Sequence, residues 1–282
     1  MADPDISELK GIEQGPFEPI AIVGLSCILP GSPDIETFWQ NIIDANVAIK
    51  ELPDDRWDIK DFFDPDGKPG SVKTNKTYSK IGAFVEDFEF DWRRWRQPPG
   101  TLPQIDVSQL WAVEASAAAI EHAGYGEGGK DLDRAATGVV FANALGGENR
   151  GFTTLRIHSD QAVRIASEYG MTDPEAFLKE WNNGLPKVDE DTMPGELANV
   201  VAGRVANLLD LQGPNYTTDA ACASSMAALV DACRQLQARQ VNIAVCGASD
   251  RTMEPATYSK FSAIGALSPT HSTPFEARAD GF

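Results

Sequence analysis

From Asn215 to Gln240 the chain reads NYTTDAACASSMAALVDACRQLQARQ: a strand-like stretch runs into six consecutive small residues, Ala220 to Ser225, and continues as a helix-forming sequence. A sharp passage from buried strand to buried helix crowds the backbone. Small side chains relieve that crowding and let a second chain segment or a ligand approach the one cysteine among them, Cys222.

The rest of the chain shows the same alternation. PIAIVGLSCILPG, from Pro19 to Gly31, is a short run rich in Ile and Val between Pro and Gly, which suits a strand buried on both faces of a parallel sheet. Ser32 then offers an N-cap and Pro33 a first helical position, with Ile35, Phe38, Trp39, Ile42 and Ile43 at helical spacing. Residues 50–105 are turn-rich and carry no core strand. An alanine-rich helix starts at Asp106 and closes at Gly124 in a left-handed cap. TGVVFANAL supplies a second buried strand, and residues 148–195 form a polar insertion with short helices.

A helix over Glu196 to Leu211 sets Leu197, Val200, Val201, Val205 and Leu208 on one face, with Gly203 open to close helix contact and Glu196 supporting its N-terminus. The helix after the small-residue turn is expected to turn Met226, Leu229, Val230, Cys233 and Leu236 inward, and VNIAVCGAS is the last strand. Together these elements predict an α/β layered domain with a largely parallel sheet over 19–282, preceded by a flexible leader over 1–18.

With 282 residues, 42% of them hydrophobic, the chain can bury a large core. A formal net charge of -18 opposes binding to nucleic acid or to an anionic membrane, and an acidic macromolecule would need a local basic patch. Arg93, Arg94 and Arg96, interleaved with Trp92 and Trp95, are the candidate; arginines stacked on tryptophans in a surface loop is the simpler reading. No apolar run reaches the ~20 residues of a membrane span, and the first residues lack the layout of a secretory signal, so the chain reads as cytoplasmic. Cys27, Cys222, Cys233 and Cys246 form no C-x-x-C pair and no cysteine–histidine spacing suited to zinc, and free thiols without a bound metal are expected.

A lone cysteine in an apolar segment is usually a small core residue, and Cys27, Cys233 and Cys246 fit that description. Cys222 differs: at the start of a helix it faces unpaired N–H groups and the positive end of the helix dipole, both of which favour the thiolate. Its polar neighbours Asp219, Ser224 and Ser225 add to the case. The core reading and the nucleophile reading stand level there. Ser224 and Ser225 read as hydrogen-bonding residues of the helix N-terminus. The junction follows the logic of a nucleophile elbow without its G-x-S-x-G sequence.

GPNYTTDAACASSMAAL resembles the active-site segment of the β-ketoacyl synthase domains of polyketide and polyunsaturated fatty acid synthases. IAIVGLSCILPG is similar to that family's opening strand, GRVANLLDLQGP to the helix before its nucleophile, and FSAIGALSP with PFEARADGF to the segments that follow. DWRRWRQPPGTLPQID points further to the subgroup of polyunsaturated fatty acid and related lipid synthases. The resemblance implies a thiolase-like fold, with the second α/β half largely missing from this chain. It implies decarboxylative Claisen condensation, with Cys222 holding the acyl chain as a thioester and its backbone N–H serving as an oxyanion donor. It also implies acyl substrates on the phosphopantetheine of an acyl carrier protein, neighbouring synthase domains, and a homodimer paired through NYTTDAA.

The family's two histidines, in His-Gly-Thr-Gly-Thr and before an Asn, have no counterpart here. His122, His158 and His271 lie outside such motifs and read as ordinary helix-end or loop residues. On that resemblance residues 1–282 alone are expected to be inactive in condensation. A ketosynthase that only transfers or gates acyl chains, or a dimerisation scaffold, are the competing functions, and the retained Cys222 speaks against the scaffold.

Overall fold

The computed structural model describes residues 18–53, 56–126 and 128–282, so the leader expected over 1–18 lies almost wholly outside the described residues. Two short strands, β1 (Lys50–Glu51) and β2 (Ile81–Gly82), pair antiparallel and stand apart from the main sheet. The main sheet is parallel, with strands β3 (Thr137–Ala142), β4 (Asn215–Thr218) and β5 (Ile243–Ala248) in the order β4-β3-β5. Ala142 at the end of β3 pairs with both Thr218 and Ala248.

Every residue of β3 is buried. A period of two then divides its side chains between two cores. Val139 and Phe141 meet Val113, Ala117, Val201 and Val205, carried by α3 (Val107–His122) and α8 (Val200–Leu208). Val140 and Ala142 meet Ala228 and Ala232 of α9 (Ser224–Gln237) on the other face. Each fully buried Val or Phe contributes ~1.5–3 kcal/mol, which makes this three-layer contact the main source of the domain's stability.

The remaining helices surround that unit. They are α1 (Ile35–Ile43) and α2 (Ile59–Phe62), the helices α4 (Asn149–Ile157), α5 (Ser159–Glu168), α6 (Pro174–Trp181) and α7 (Thr192–Glu196), and α10 (Pro255–Ala263). A third cluster, Tyr78, Tyr258 and Leu267, joins the turn-rich region to α10. There the Tyr258 hydroxyl donates to Ile81 O at 2.9 Å and the Tyr78 hydroxyl to Leu267 O at 2.8 Å.

Several expectations need correction. The run from Pro19 forms no strand, and Ile22 and Val23 are 74% and 59% exposed. A strand needs a partner edge, and this segment leans on α3 instead: Leu25 N–H donates to His122 Nδ1 at 3.1 Å, and Gly24 packs where a side chain would overlap Ala119 O. The N-cap of α1 is Asp34, which accepts from Thr37 N–H, while Ser32 accepts from Asn41 Nδ2. Among the described residues no other helix packs closely on Gly203, where an added Cβ would meet the Asn215 side chain at 3.8 Å, and Glu196 ends α7 with its carboxylate on the Thr153 hydroxyl.

In α9 the expected stripe holds only in its last turns, where Cys233 and Leu236 are half-buried. Ser224, Ala228, Ala232 and Gln235 are buried, whereas Met226, Leu229 and Val230 are exposed. The helix lies close on the sheet, and small residues are what that approach admits.

Asp106 holds the pieces together. Fully buried, its carboxylate caps α3 through Ser108 N–H at 2.9 Å, takes the Ser108 hydroxyl at 2.6 Å, and accepts the N–H groups of Glu148 and Asn149 at 2.8 and 3.1 Å. Gly147, at φ 96, passes so close that any Cβ would overlap this carboxylate. Asp106→Ala orphans several buried donors at ~1–3 kcal/mol each, so urea unfolding is expected to show a loss of at least ~3 kcal/mol. A loss below ~1 kcal/mol would mean that water replaces the carboxylate.

Candidate active site

Three parallel strands bring the loops at their C-terminal ends to one edge of the sheet: residues 143–148, 219–223 and 249–254. That edge is where open α/β sheets bind ligands. Asn143, itself buried, ties the three together. Its N–H donates to Thr218 O at 3.3 Å, its Nδ2 to Ser249 O at 2.8 Å, and its Oδ1 accepts Gly146 N–H at 2.7 Å.

Cys222 sits in the loop after β4, exposed, in a 3-10 turn (Ala221–Ala223) that runs straight into α9. The residue before it, Ala221, has φ 50. A left-handed alanine costs ~1–3 kcal/mol and persists only where its surroundings impose it. They do so here: Asp219 Oδ1 accepts Ala221 N–H at 2.8 Å, Ala220 O accepts Ala223 N–H at 3.1 Å, and Ser224 bonds Ala220 and Ala221. The turn thus uses the N–H groups of Ala220, Ala221, Ala223 and Ser224, whereas that of Cys222 has no partner among the described residues. An exposed thiol with its own N–H unused is what nucleophilic attack on a carbonyl calls for: the sulfur attacks and the N–H meets the oxygen on which charge develops.

The other cysteines are less well placed. Burial, with Asp34 and Glu36 nearby, pushes the Cys27 thiol up. Cys246 is surface-accessible, yet its surroundings exclude enough water to push its thiol up to about 11, with the Cys233 thiol adding to the effect. A cavity of about 400 Å³ lies between residues 24–30 and β5 and includes Cys27 and Cys246 but not Cys222.

Sequence reasoning passed over the buried charges beside this edge. Glu148, 2% exposed, pairs with Arg56 at 2.8 Å and Arg251 at 3.3 Å, and accepts Met253 N–H at 2.8 Å. Burial pushes its carboxyl up, and the two guanidiniums oppose that shift. The signal was present as single charged residues just beyond strand ends, Glu148 after Gly146 and Gly147 and Arg251 after β5. Of the arginines in the Trp92–Arg96 turn, Arg93 stacks on Trp92 and Arg94 on Trp95, and Arg94 also pairs with Glu121. The turn is more than a surface loop, since Trp95 is buried in the main core and its Nε1 donates to Glu114 at 2.6 Å.

The histidines are engaged by their own neighbours, His122 by Leu25, His158 by Gln161 and His271 by Thr270. Among the described residues no group of three or more His, Cys, Asp or Glu side chains is arranged to hold a metal ion, and no helix is long and apolar enough to cross a membrane.

Comparison with known proteins gives a consistent result. Residues 17–282 match the family described as "Beta-ketoacyl synthase, N-terminal domain". The chain is 32% identical over 268 residues, 94% of its length, to a phenolphthiocerol/phthiocerol polyketide synthase of Mycobacterium tuberculosis. It is likewise 32% identical to the phthioceranic/hydroxyphthioceranic acid synthase of Mycobacterium bovis. It spans 13% and 11% of those relatives' own lengths.

Among solved structures, the oxazolomycin ketosynthase domain of Streptomyces albus matches with TM-score 0.67 and 26% identity, over 88% of this chain and 37% of that one. The ketosynthase from module 6 of the bacillaene synthase of Bacillus subtilis shares the fold, with TM-score 0.68 and 24% identity, over 93% of this chain and 38% of its own.

In folded protein at neutral pH, iodoacetamide is expected to label Cys222 ahead of Cys27, Cys233 and Cys246. Access favours attack at the turn, whereas Cys246 is held protonated. Peptide mapping after a brief pulse reads the order, and Cys246 labelling first would contradict it.

Proposed function

Since the chain belongs to the β-ketoacyl synthase family, we propose that it is the part of a carrier-dependent condensing enzyme that receives the acyl chain, with Cys222 as the acceptor. The observation that carries this reading is the turn itself: an exposed thiol, preceded by a left-handed residue and followed by a helix, with its own N–H unused. The thiolate of Cys222 attacks the carbonyl carbon of a thioester, and the carbonyl oxygen takes the charge against the Cys222 N–H. When the tetrahedral intermediate collapses, the new C–S bond remains and the old one breaks. The donor leaves as a thiolate and recovers the proton that Cys222 lost.

The donor is the phosphopantetheine thiol of an acyl carrier protein, and the step that follows is decarboxylative Claisen condensation of the held chain with a carrier-bound extender. The retained nucleophile favours this over a scaffold role. Neighbouring synthase domains fit the multidomain relatives, of which the chain matches a small share. Four free cysteines fit a cytoplasmic setting. Incubation of the full chain with an acyl-loaded carrier protein is expected to add one acyl mass on the Cys222 peptide, and Cys222→Ala to abolish it. Acylation at another residue, with Cys222 untouched, would reject the assignment.

The assembly we propose is an isologous homodimer. Among the described residues β4 pairs on one side only, and Asn215 and Tyr216 are exposed along it. An unprotected sheet edge invites pairing with a second copy, and β4 of one protomer meeting β4 of its partner closes both edges. The intact domain is expected to bury well over ~2,000 Å² in this way. Sedimentation at micromolar concentration should report the dimer, and a monomer would refute it.

A further inference from the structure

We propose that Ser224 is a positioning residue for the oxyanion donor, an assignment that rests on Cys222 being the acyl acceptor. Ser224 is 7% exposed and occupies the first position of α9, one residue past the N-cap Ala223, so its hydroxyl is not the cap of that helix. Its Oγ accepts the N–H of Ala220 at 2.8 Å and donates to Ala221 O at 2.6 Å, reaching back across the cysteine. The Ser224 N–H bonds the same Ala221 carbonyl.

That carbonyl belongs to the peptide whose other end is the Cys222 N–H. The unit is planar and trans, so its C=O and N–H point in opposite directions. Holding the oxygen down on Ser224 therefore aims the Cys222 N–H away from the helix, and the remaining bonds of the turn, Ala221 N–H to Asp219 and Ala223 N–H to Ala220 O, engage the preceding peptide. Ser224 is the side chain through which the donor's direction is set.

Two reactions of the same thiol separate this role from a structural one. Acylation by a thioester passes through an oxyanion, whereas alkylation by iodoacetamide does not. In the full chain, with acetyl-N-acetylcysteamine as the thioester probe, Ser224→Ala is expected to slow acylation of Cys222 by ~10–100-fold while leaving alkylation near the wild-type rate. Ser224→Thr, which retains the hydroxyl, should keep the wild-type ratio of the two rates. It serves as the test if the alanine variant does not melt cooperatively.

Equal acylation of wild type and Ser224→Ala would overturn the proposal. So would an equal loss of both reactions, which would mark Ser224 as a support of the turn alone, or a collapsed ratio in a folded Ser224→Thr protein. Wild-type protein that is alkylated but never acylated at Cys222 would instead remove the acyl-acceptor assignment on which the proposal rests.

Discussion

The Asp106 carboxylate is the interaction on which the sheet's functional edge depends. It is fully buried, and a buried carboxylate is tolerable only when donors replace its water. The donors it takes come from two places far apart in sequence, the first turn of α3 and the loop after β3. The start of the main core helix and the end of the central strand are thereby fixed to one atom group. Gly147 is the local consequence, since the loop must pass within contact of that carboxylate with its backbone at φ 96.

From Asp106 the constraint passes outward through charge. Glu148, whose N–H it holds, directs its own carboxylate to Arg56, Arg251 and Met253 N–H. Burying one carboxylate against two guanidiniums leaves little net stabilisation, because each ion has lost hydration. What the arrangement supplies is position. Arg56 comes from the turn-rich region, Glu148 from the loop after β3 and Arg251 from the loop after β5, so three remote segments share one register beside the strand ends. Asn143 continues that register to β4, the strand that delivers Cys222.

The parts of this architecture legible in the sequence were those set by local pattern. The β3 run, the helix capped by Asp106 and closed at Gly124, the strand-to-helix passage at Cys222 and the short helices between residues 149 and 196 follow from periodicity, caps and residue size. The misreadings came where a partner decides. An apolar run such as Ile20–Leu25 carries the same propensity whether or not an edge lies beside it, and here it rests on α3. The side of α9 that faces the sheet is decided by size and not by hydrophobicity. Ala228 and Ala232 lie against Val140 and Ala142, where a leucine would hold the layers apart. The Glu148 network was invisible for a different reason, since its members are 92 and 103 residues from one another along the chain and share no motif.

Alanine rather than glycine at position 221 carries a further physical implication. Glycine would take φ 50 without cost, but it would take many other conformations as readily, and the peptide leading to Cys222 would sample them. Alanine prefers right-handed backbone, so the left-handed state exists only while Asp219 and Ser224 hold both flanking peptides. The strain makes the turn depend on its bonds, and those bonds leave few alternatives once they form. A donor N–H that stabilises charge must already point the right way when the charge appears, because reorientation at that moment would cost what the bond contributes. For the donor proposed at Cys222, a strained alanine braced on both sides would meet that requirement, and the residues around it are small.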